Sequence, residues 1–432
     1  MKSELLKALG GSALDYLKVS GKTLMSRYTP LSDLAALRNS YGVMFSANRV
    51  LTSVVSPYVD AEVANRRKER YLNFSSQDYL GLAQDEEVKN AVKQAVDDYG
   101  IHTASSPILT GRNKLTEKLE ATLAGILNTE QCLLYPTGWS ACFGVIAALV
   151  TVNDHLIIDS LSHNSLQVAA RYSTPLLQKF RHNDIGHLET LMQKCREKDP
   201  VNGLFVVMES LYSMNSDVPD LKQVLQLIRQ YEGILILDIA HDFGAMGERG
   251  LGLLETVTKA DLDNVVICGA FSKSFASNGG FVAGPNIIRP QLIVFSPSYT
   301  FSNGISPMQC AVVQKCAEII FSEKGDHLRS MLRDHIDFAI HAFTSNGFVT
   351  TGVPSPIVPV LIGAEELARL ISKETAKKGL LANLAEFPAV PKGKAIFRFQ
   401  LMSTHRNQHI AEAVQILKST KADAEMILRQ LK

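Results

Sequence analysis

A charge surplus of either sign is missing from this chain: Lys and Arg number 44 against 43 Asp and Glu, a net of +1 over 432 residues. Nucleic-acid binding draws on clustered Lys and Arg, so no nucleic-acid partner is expected. Six cysteines (132, 142, 195, 268, 310, 316) form no CxxC pair and no metal-ligand spacing. Reduced, buried thiols in a cytoplasmic protein, with no metal, are the expectation. No apolar h-region follows Met1-Lys2-Ser3-Glu4, so no secretory signal is expected. The most apolar long window, Leu133 to Val152, is broken near its start by Pro136, Thr137 and Gly138. Such a window reads as a buried strand, a turn and a core helix rather than a membrane span. Internal repeats and low-complexity segments are absent as well.

What the chain does contain is organised. Its length allows two or more domains. Residues 1 to about 65 are helix-rich in pattern, with Leu5, Leu6, Leu9, Leu14 and Leu17 near helical spacing around Gly10-Gly11. Residues 1–70 read as a helical arm and connector that packs on its own domain or lies on a membrane or a partner subunit. The cluster Arg66-Arg67-Lys68-Glu69-Arg70 reads as its solvated end. From Tyr71, apolar runs ending at Tyr135, Asp159, Glu209, Asp238 and Cys268 alternate with helical patterns such as Glu86 to Asp98 and Lys114 to Leu127. That alternation predicts an α/β domain over 71–320 with a mainly parallel, doubly wound sheet. Residues 321–432 read as a smaller α+β domain. In a doubly wound sheet ligands bind outside the carboxyl ends of the strands, so polar residues there are site candidates.

Four such candidates meet four chemical needs. Lys273 lies among small and hydroxyl residues just after the run Val265 to Cys268; an amine partly desolvated there can be a nucleophile. Asp238 ends a buried strand and can keep a ring nitrogen protonated, with His241 three residues on as donor to a ring oxygen. His163, after Asp159, offers a flat ring for stacking. Thr137-Gly138-Trp139 opens a helix whose N–H groups suit a phosphate. Together these are the requirements of pyridoxal 5'-phosphate (PLP), an electron sink.

Motifs in this order resemble the α-oxoamine synthase family of fold-type I PLP-dependent transferases. The matching stretches are Phe74-Ser-Ser-Gln-Asp-Tyr-Leu-Gly-Leu82, Pro136-Thr-Gly-Trp139, Ser162-His-Asn-Ser165 and His182-Asn-Asp184. Glu209-Ser-Leu-Tyr-Ser-Met214, Asp238-Ile-Ala-His241, Phe271-Ser-Lys273 and Val390-Pro-Lys-Gly393 with Arg398 continue the series. The resemblance implies that Lys273 holds the cofactor as an imine and removes the substrate's α-proton. It further implies that Asp238 pairs the pyridinium, His241 bonds the phenolic oxygen, His163 stacks on the ring and Ser213 supports its edge. Thr137, Gly138, Trp139 and Ser272 would contact the phosphate, with Ser302 and Asn303 reaching a partner's phosphate across a homodimer. Arg398 and Gln77 would face the substrate carboxylate.

The implied reaction condenses an amino acid with an acyl thioester of coenzyme A or acyl carrier protein, with decarboxylation to an α-amino ketone. Serine palmitoyltransferases and autoinducer synthases work in this manner. An aminotransferase or lyase on the same fold, and a catalytically silent partner subunit, are the alternatives. Departures from the family pattern stand at Gln77 (usually Asn), Ala270 (usually Thr), Ile239 (usually Glu) and Pro107 (often Arg).

Overall fold

Strands in which every side chain is buried form the centre of the larger unit, as expected where a parallel sheet is covered on both faces. The computed structural model describes residues 2–17, 19–43, 49–63 and 68–431. In chain order the strands are β1 (Arg49–Leu51), β2 (Tyr58–Val63), β3 (Glu69–Phe74), β4 (Gln131–Tyr135) and β5 (His155–Asp159). Next come β6 (Leu177–Phe180), β7 (Leu204–Glu209), β8 (Ile234–Asp238), β9 (Val265–Ala270) and β10 (Gly280–Gly284). The last are β11 (Val349–Thr350), β12 (Ile357–Gly363), β13 (Leu380–Ala385) and β14 (Ala395–Gln400). The chain divides into two compact units: Gln77–Ser213 with Asp217–Met331, and Met1–Ser76 with Met214–Ser216 and Leu332–Lys432.

In the first of these units a seven-stranded sheet runs β4-β10-β9-β8-β7-β5-β6. Neighbours from β6 to β9 are parallel, and β10 is antiparallel to both β9 and β4. β4, β5, β7 and β10 bury every residue. The fold is therefore the expected α/β type. The expected run ends at Tyr135, Asp159, Glu209 and Asp238 coincide with strand ends, and the run through Cys268 extends to Ala270. The helix Gly138–Leu149 joins Leu133, Val207, Ile236 and Val282 in the main apolar cluster.

The ends of β5 and β6 are tied by one imidazole. Asp159 is fully buried; its Oδ1 lies 2.9 Å from His182 Nδ1, and its Oδ2 accepts the Asn183 N–H at 3.0 Å. His182 Nε2 lies 2.9 Å from Asp217 Oδ2. Burial opposes a charge on this ring, but the hydrogen bonds to Asp159 and Asp217 outweigh it and push the His182 pKa up to about 9.

The second unit carries the sheet β1-β2-β3-β13-β14-β12-β11, mixed because β13 pairs parallel to β3 while its other pairings are antiparallel. The helical pattern expected through residue 65 ends at Ser40, and β1 and β2 pair as a ribbon instead. The reason is a period-two burial in β2, where Val59, Ala61 and Val63 point inward. Of the basic cluster, Arg66 and Arg67 lie outside the described residues. The arm packs on its own unit: Arg38 donates to Ala8 O at 3.1 Å, and Arg369 Nη2 donates to Gly11 O and Glu386 Oε1, both at 2.9 Å. One face of the helix Leu24–Ser40 remains open, with Leu24 77% and Met25 75% exposed. No helix among the described residues is long and apolar enough to cross a membrane.

A histidine whose folded-state pKa is raised stabilises fully below its unfolded value and loses that contribution as pH rises through the folded value. Stability should therefore fall between pH 7 and pH 10 by roughly 3 kcal/mol from this group alone. His182→Gln should lose about that much at pH 7 and flatten the fall. Urea denaturation of both proteins at the two pH values checks this.

Candidate active site

The loop after β9 places Lys273 on a turn held at both sides by aromatic rings. Phe271 stacks on Phe281 at 5.4 Å between centroids, and Phe275 packs on Phe243 at 5.0 Å. Both anchors are fully buried, whereas Lys273 is half-buried. The Phe271 N–H donates to Gly279 O at 3.0 Å, which closes the loop back onto the start of β10. Such a turn limits where the long side chain can reach.

Around it stand the carboxyl ends of β7 and β8. Asp238 is buried; its Oδ1 accepts the Ala240 N–H at 3.0 Å and its Oδ2 faces the Cys142 thiol at 3.3 Å. Glu209, its register partner on β7, accepts the main-chain N–H of His163. His163 caps the helix Asn164–Ser173, and its Nδ1 lies 2.7 Å from Ser165 Oγ. The protein around the His163 ring disfavours its charge; Asp238 opposes that effect and the Lys273 charge adds to it, so the imidazole titrates below its ordinary range. Fields from Asp238 and Lys273 thus both reach His163. His241 is buried, with Nδ1 3.1 Å from the Tyr79 hydroxyl. The structure brings Lys273, Asp238 and His163 into one electrostatic cluster and sets His241 three residues beyond Asp238.

A close-packed seam lies beside this cluster. Thr137 caps the helix Gly138–Leu149, its Oγ1 accepting the Ser140 N–H at 3.0 Å. A Cβ on Gly138 would meet Ala270 Cβ at 2.2 Å, and one on Gly280 would meet Gly138 Cα at 2.6 Å. Only glycine at 138 and 280 lets the helix start lie against β9 and β10. Its N–H groups and dipole then point outward from the strand ends. Trp139 is exposed and stacks on Phe143 at 5.4 Å. Ser272 is exposed on the lysine turn.

Ser302 and Asn303 sit on a loop whose Gly304 N–H donates to Ser105 O at 3.1 Å, with no hydrogen bond from either to the Asp238 cluster among the described residues. Ser213 is half-buried on the turn after β7, and Gln77 is half-buried at the start of its unit. Arg398 is buried on β14 in the other unit, in register with Asn383 and Pro359.

Several residues of the cluster escaped the sequence-based reading. Glu209 carried the same signal as Asp238, a carboxylate closing a buried strand. Tyr79 lay in a recognised motif without a role. Asp242 is buried, accepts the Ser210 hydroxyl at 2.6 Å and the Leu253 N–H at 2.8 Å, and is pushed up to about 6 by burial. Cysteine spacing hid another neighbourhood: ligand atoms of Cys142, Cys268 and Asp238 lie within 4.8 Å of one another. The Cys268 thiol is held well above its ordinary range by its hydrogen bond with Cys142 and by burial, which disfavours the thiolate a metal would need.

Comparisons with known proteins bear on this geometry. A family model described as aminotransferase class I and II matches residues 69–417. A serine palmitoyltransferase of Bacteriovorax stolpii is 30% identical over 364 residues, 84% of this chain and 85% of that protein. An 8-amino-7-oxononanoate synthase of Hydrogenovibrio crunogenus is 30% identical over 352 residues, 82% of this chain and 87% of that one. Among solved structures, the Sphingomonas wittichii serine palmitoyltransferase has a TM-score of 0.86 at 25% identity, covering 94% of this chain and 100% of that one. A serine palmitoyltransferase solved with PLP also has a TM-score of 0.86, at 23% identity, and shares the fold. The chain belongs to the aminotransferase class I and II family and, within it, to the α-oxoamine synthases.

Proposed function

We propose that this protein is a PLP-dependent C-acyltransferase that condenses an amino acid with an acyl thioester, with loss of carbon dioxide, to give an α-amino ketone. The observation that carries the reading is the gathering of Lys273, Asp238 and His163 at the carboxyl ends of parallel strands, beside a glycine-requiring helix start. These residues fit PLP. The seam at Gly138 leaves outward-facing N–H groups for a phosphate, and Asp238, already held by an N–H and an S–H donor, has its charge fixed in place for a protonated ring nitrogen.

PLP, when bound, supplies the ring that takes up the electron pair left at the substrate's α-carbon. Lys273 holds the cofactor and accepts the α-proton at Nζ. Asp238 keeps a proton on the ring nitrogen. The Tyr79 hydroxyl, at His241 Nδ1, holds in place the imidazole that would bond the ring oxygen. His163 packs on the ring face, and Ser213 supports its edge. Thr137, Gly138, Trp139 and Ser272 bind the phosphate. Arg398 and Gln77 take the substrate carboxylate, a task that suits the guanidinium fork.

The donor is an acyl group on coenzyme A or acyl carrier protein. Two copies form a homodimer in which Ser302 and Asn303 of one serve the phosphate of the other. The open face of the helix Leu24–Ser40, bearing Leu24, Met25 and Tyr28, makes peripheral contact with a membrane surface.

Four measurements test this reading. Purified protein reconstituted with PLP should show a visible absorption band that Lys273→Ala abolishes; a wild type that takes up no PLP ends the proposal. Adding acyl-CoA and the correct amino acid should release free thiol, which transamination would not. Asp238→Asn should retain PLP and lose about 10- to 100-fold in rate, the equivalent of one charge-assisted hydrogen bond. Gly138→Ala should weaken PLP binding by about tenfold, because its methyl displaces Ala270 and tilts the helix start.

A further inference from the structure

Two carboxyl-bearing residues close adjacent strands of the larger unit's sheet. Glu209 and Asp238 are register partners at the ends of the adjacent parallel strands β7 and β8, so their side chains project on one face of the sheet. Both are buried. Like charges at neighbouring strand ends in a poorly solvated place repel, which favours a proton on one of the two. Donor count decides which. Asp238 receives the Ala240 N–H at 3.0 Å and the Cys142 S–H at 3.3 Å, whereas Glu209 receives the His163 N–H.

We propose that Glu209 is a positioning residue carried as a neutral carboxylic acid, which locks the main chain of His163 and leaves Asp238 the charged carboxyl of the pair beside Lys273. Its bearing on catalysis rests on the PLP reading above; its protonation state does not. The titratable groups facing it are Asp238 on β8, Asp159 on β5, Cys268 on β9, His163 at its helix start, Lys273 on the lysine turn and Tyr212 on its own turn. Burial and then Asp238 push the Glu209 carboxyl well above the usual carboxylate range; Asp159 adds to this, while the His163 N–H and Lys273 pull back.

A neutral partner has a definite use. Were Glu209 ionised, a second negative charge would hold the Lys273 proton more tightly and keep its amine from acting as a nucleophile or base. A neutral carboxyl still accepts the His163 N–H, so the ring that caps the helix Asn164–Ser173 stays in place.

Infrared spectroscopy of the PLP-free protein at pH 7 reads the proton directly. The expected result is a carboxylic-acid carbonyl stretch that shifts when glutamate is labelled with carbon-13 and disappears in Glu209→Gln. No glutamate-derived acid band in the wild type overturns the proposal, and that measurement needs no variant. With PLP bound, Glu209→Gln should leave the pH midpoint of the visible band in place, because it replaces one neutral group by another. Glu209→Ala, which strips His163 of its acceptor, should weaken PLP binding by about tenfold. A midpoint displaced by about one unit in Glu209→Gln would mean that a charge had been removed, and would equally overturn the proposal. If no variant takes up PLP, the functional reading falls while the infrared result still decides this one.

Discussion

One buried carboxyl, that of Asp238, bears on everything near it. It stands at the end of a strand whose neighbours are apolar on both faces, where water contributes little screening. An isolated charge there would be costly, and the surroundings are arranged to offset that cost: a main-chain N–H, a thiol and a lysine in the same cluster. The same scarcity of water makes the charge strong toward a cationic ring. Solvation by fixed donors and readiness to hold a proton on a ligand are two results of one placement.

Placement in turn depends on close packing. Gly138, Ala270 and Gly280 meet where a helix start presses against two strands, and no larger side chain fits at 138 without moving its neighbours. On the other side, Phe271, Phe275, Phe243 and Phe281 hold the lysine turn in a cluster of rings. Rigidity from the rings and intimacy from the glycines are complementary, since the first limits where the amine travels and the second fixes where an anion can rest. An enzyme of this type needs both, because the two ends of one small cofactor must be held at once.

Much of this was legible in the sequence, for identifiable reasons. Strands buried on both faces leave uninterrupted apolar runs, so the ends of β4, β5, β7 and β8 could be read to the residue. Asp238 and Lys273 stood out because each follows such a run. β10 was hidden because it begins and ends in glycine, and β6 because its side chains are only partly buried. Pairing of β3 with β13 joins residues more than three hundred positions apart, and no local pattern encodes it. The ribbon of β1 and β2 was masked by leucines upstream that repeat at helical spacing. The proximity of Cys142 to Cys268 is likewise a product of the fold, since the two thiols belong to a helix and a strand far apart in the chain.

The departures from the family pattern gain a physical meaning from these contacts. Ala270 supplies the methyl group that Gly138 faces, so a small residue at 270 is what allows the helix start to approach β9 so closely. Alanine at 270 has no hydroxyl to offer a phosphate. On the proposed reading, a phosphate falls to main-chain groups of the helix start and to serines on neighbouring turns, of which Ser272 is the nearest in sequence. Ile239 is fully buried directly after Asp238, and its Cγ1 would lie 3.5 Å from a Cβ on Gly269. Side chains alternate along a strand, so Ile239 faces away from Asp238, on the side where Gly269 meets the Phe281 ring, and an acidic side chain there would be buried against hydrocarbon. A hydrocarbon at 239 suits that apolar packing.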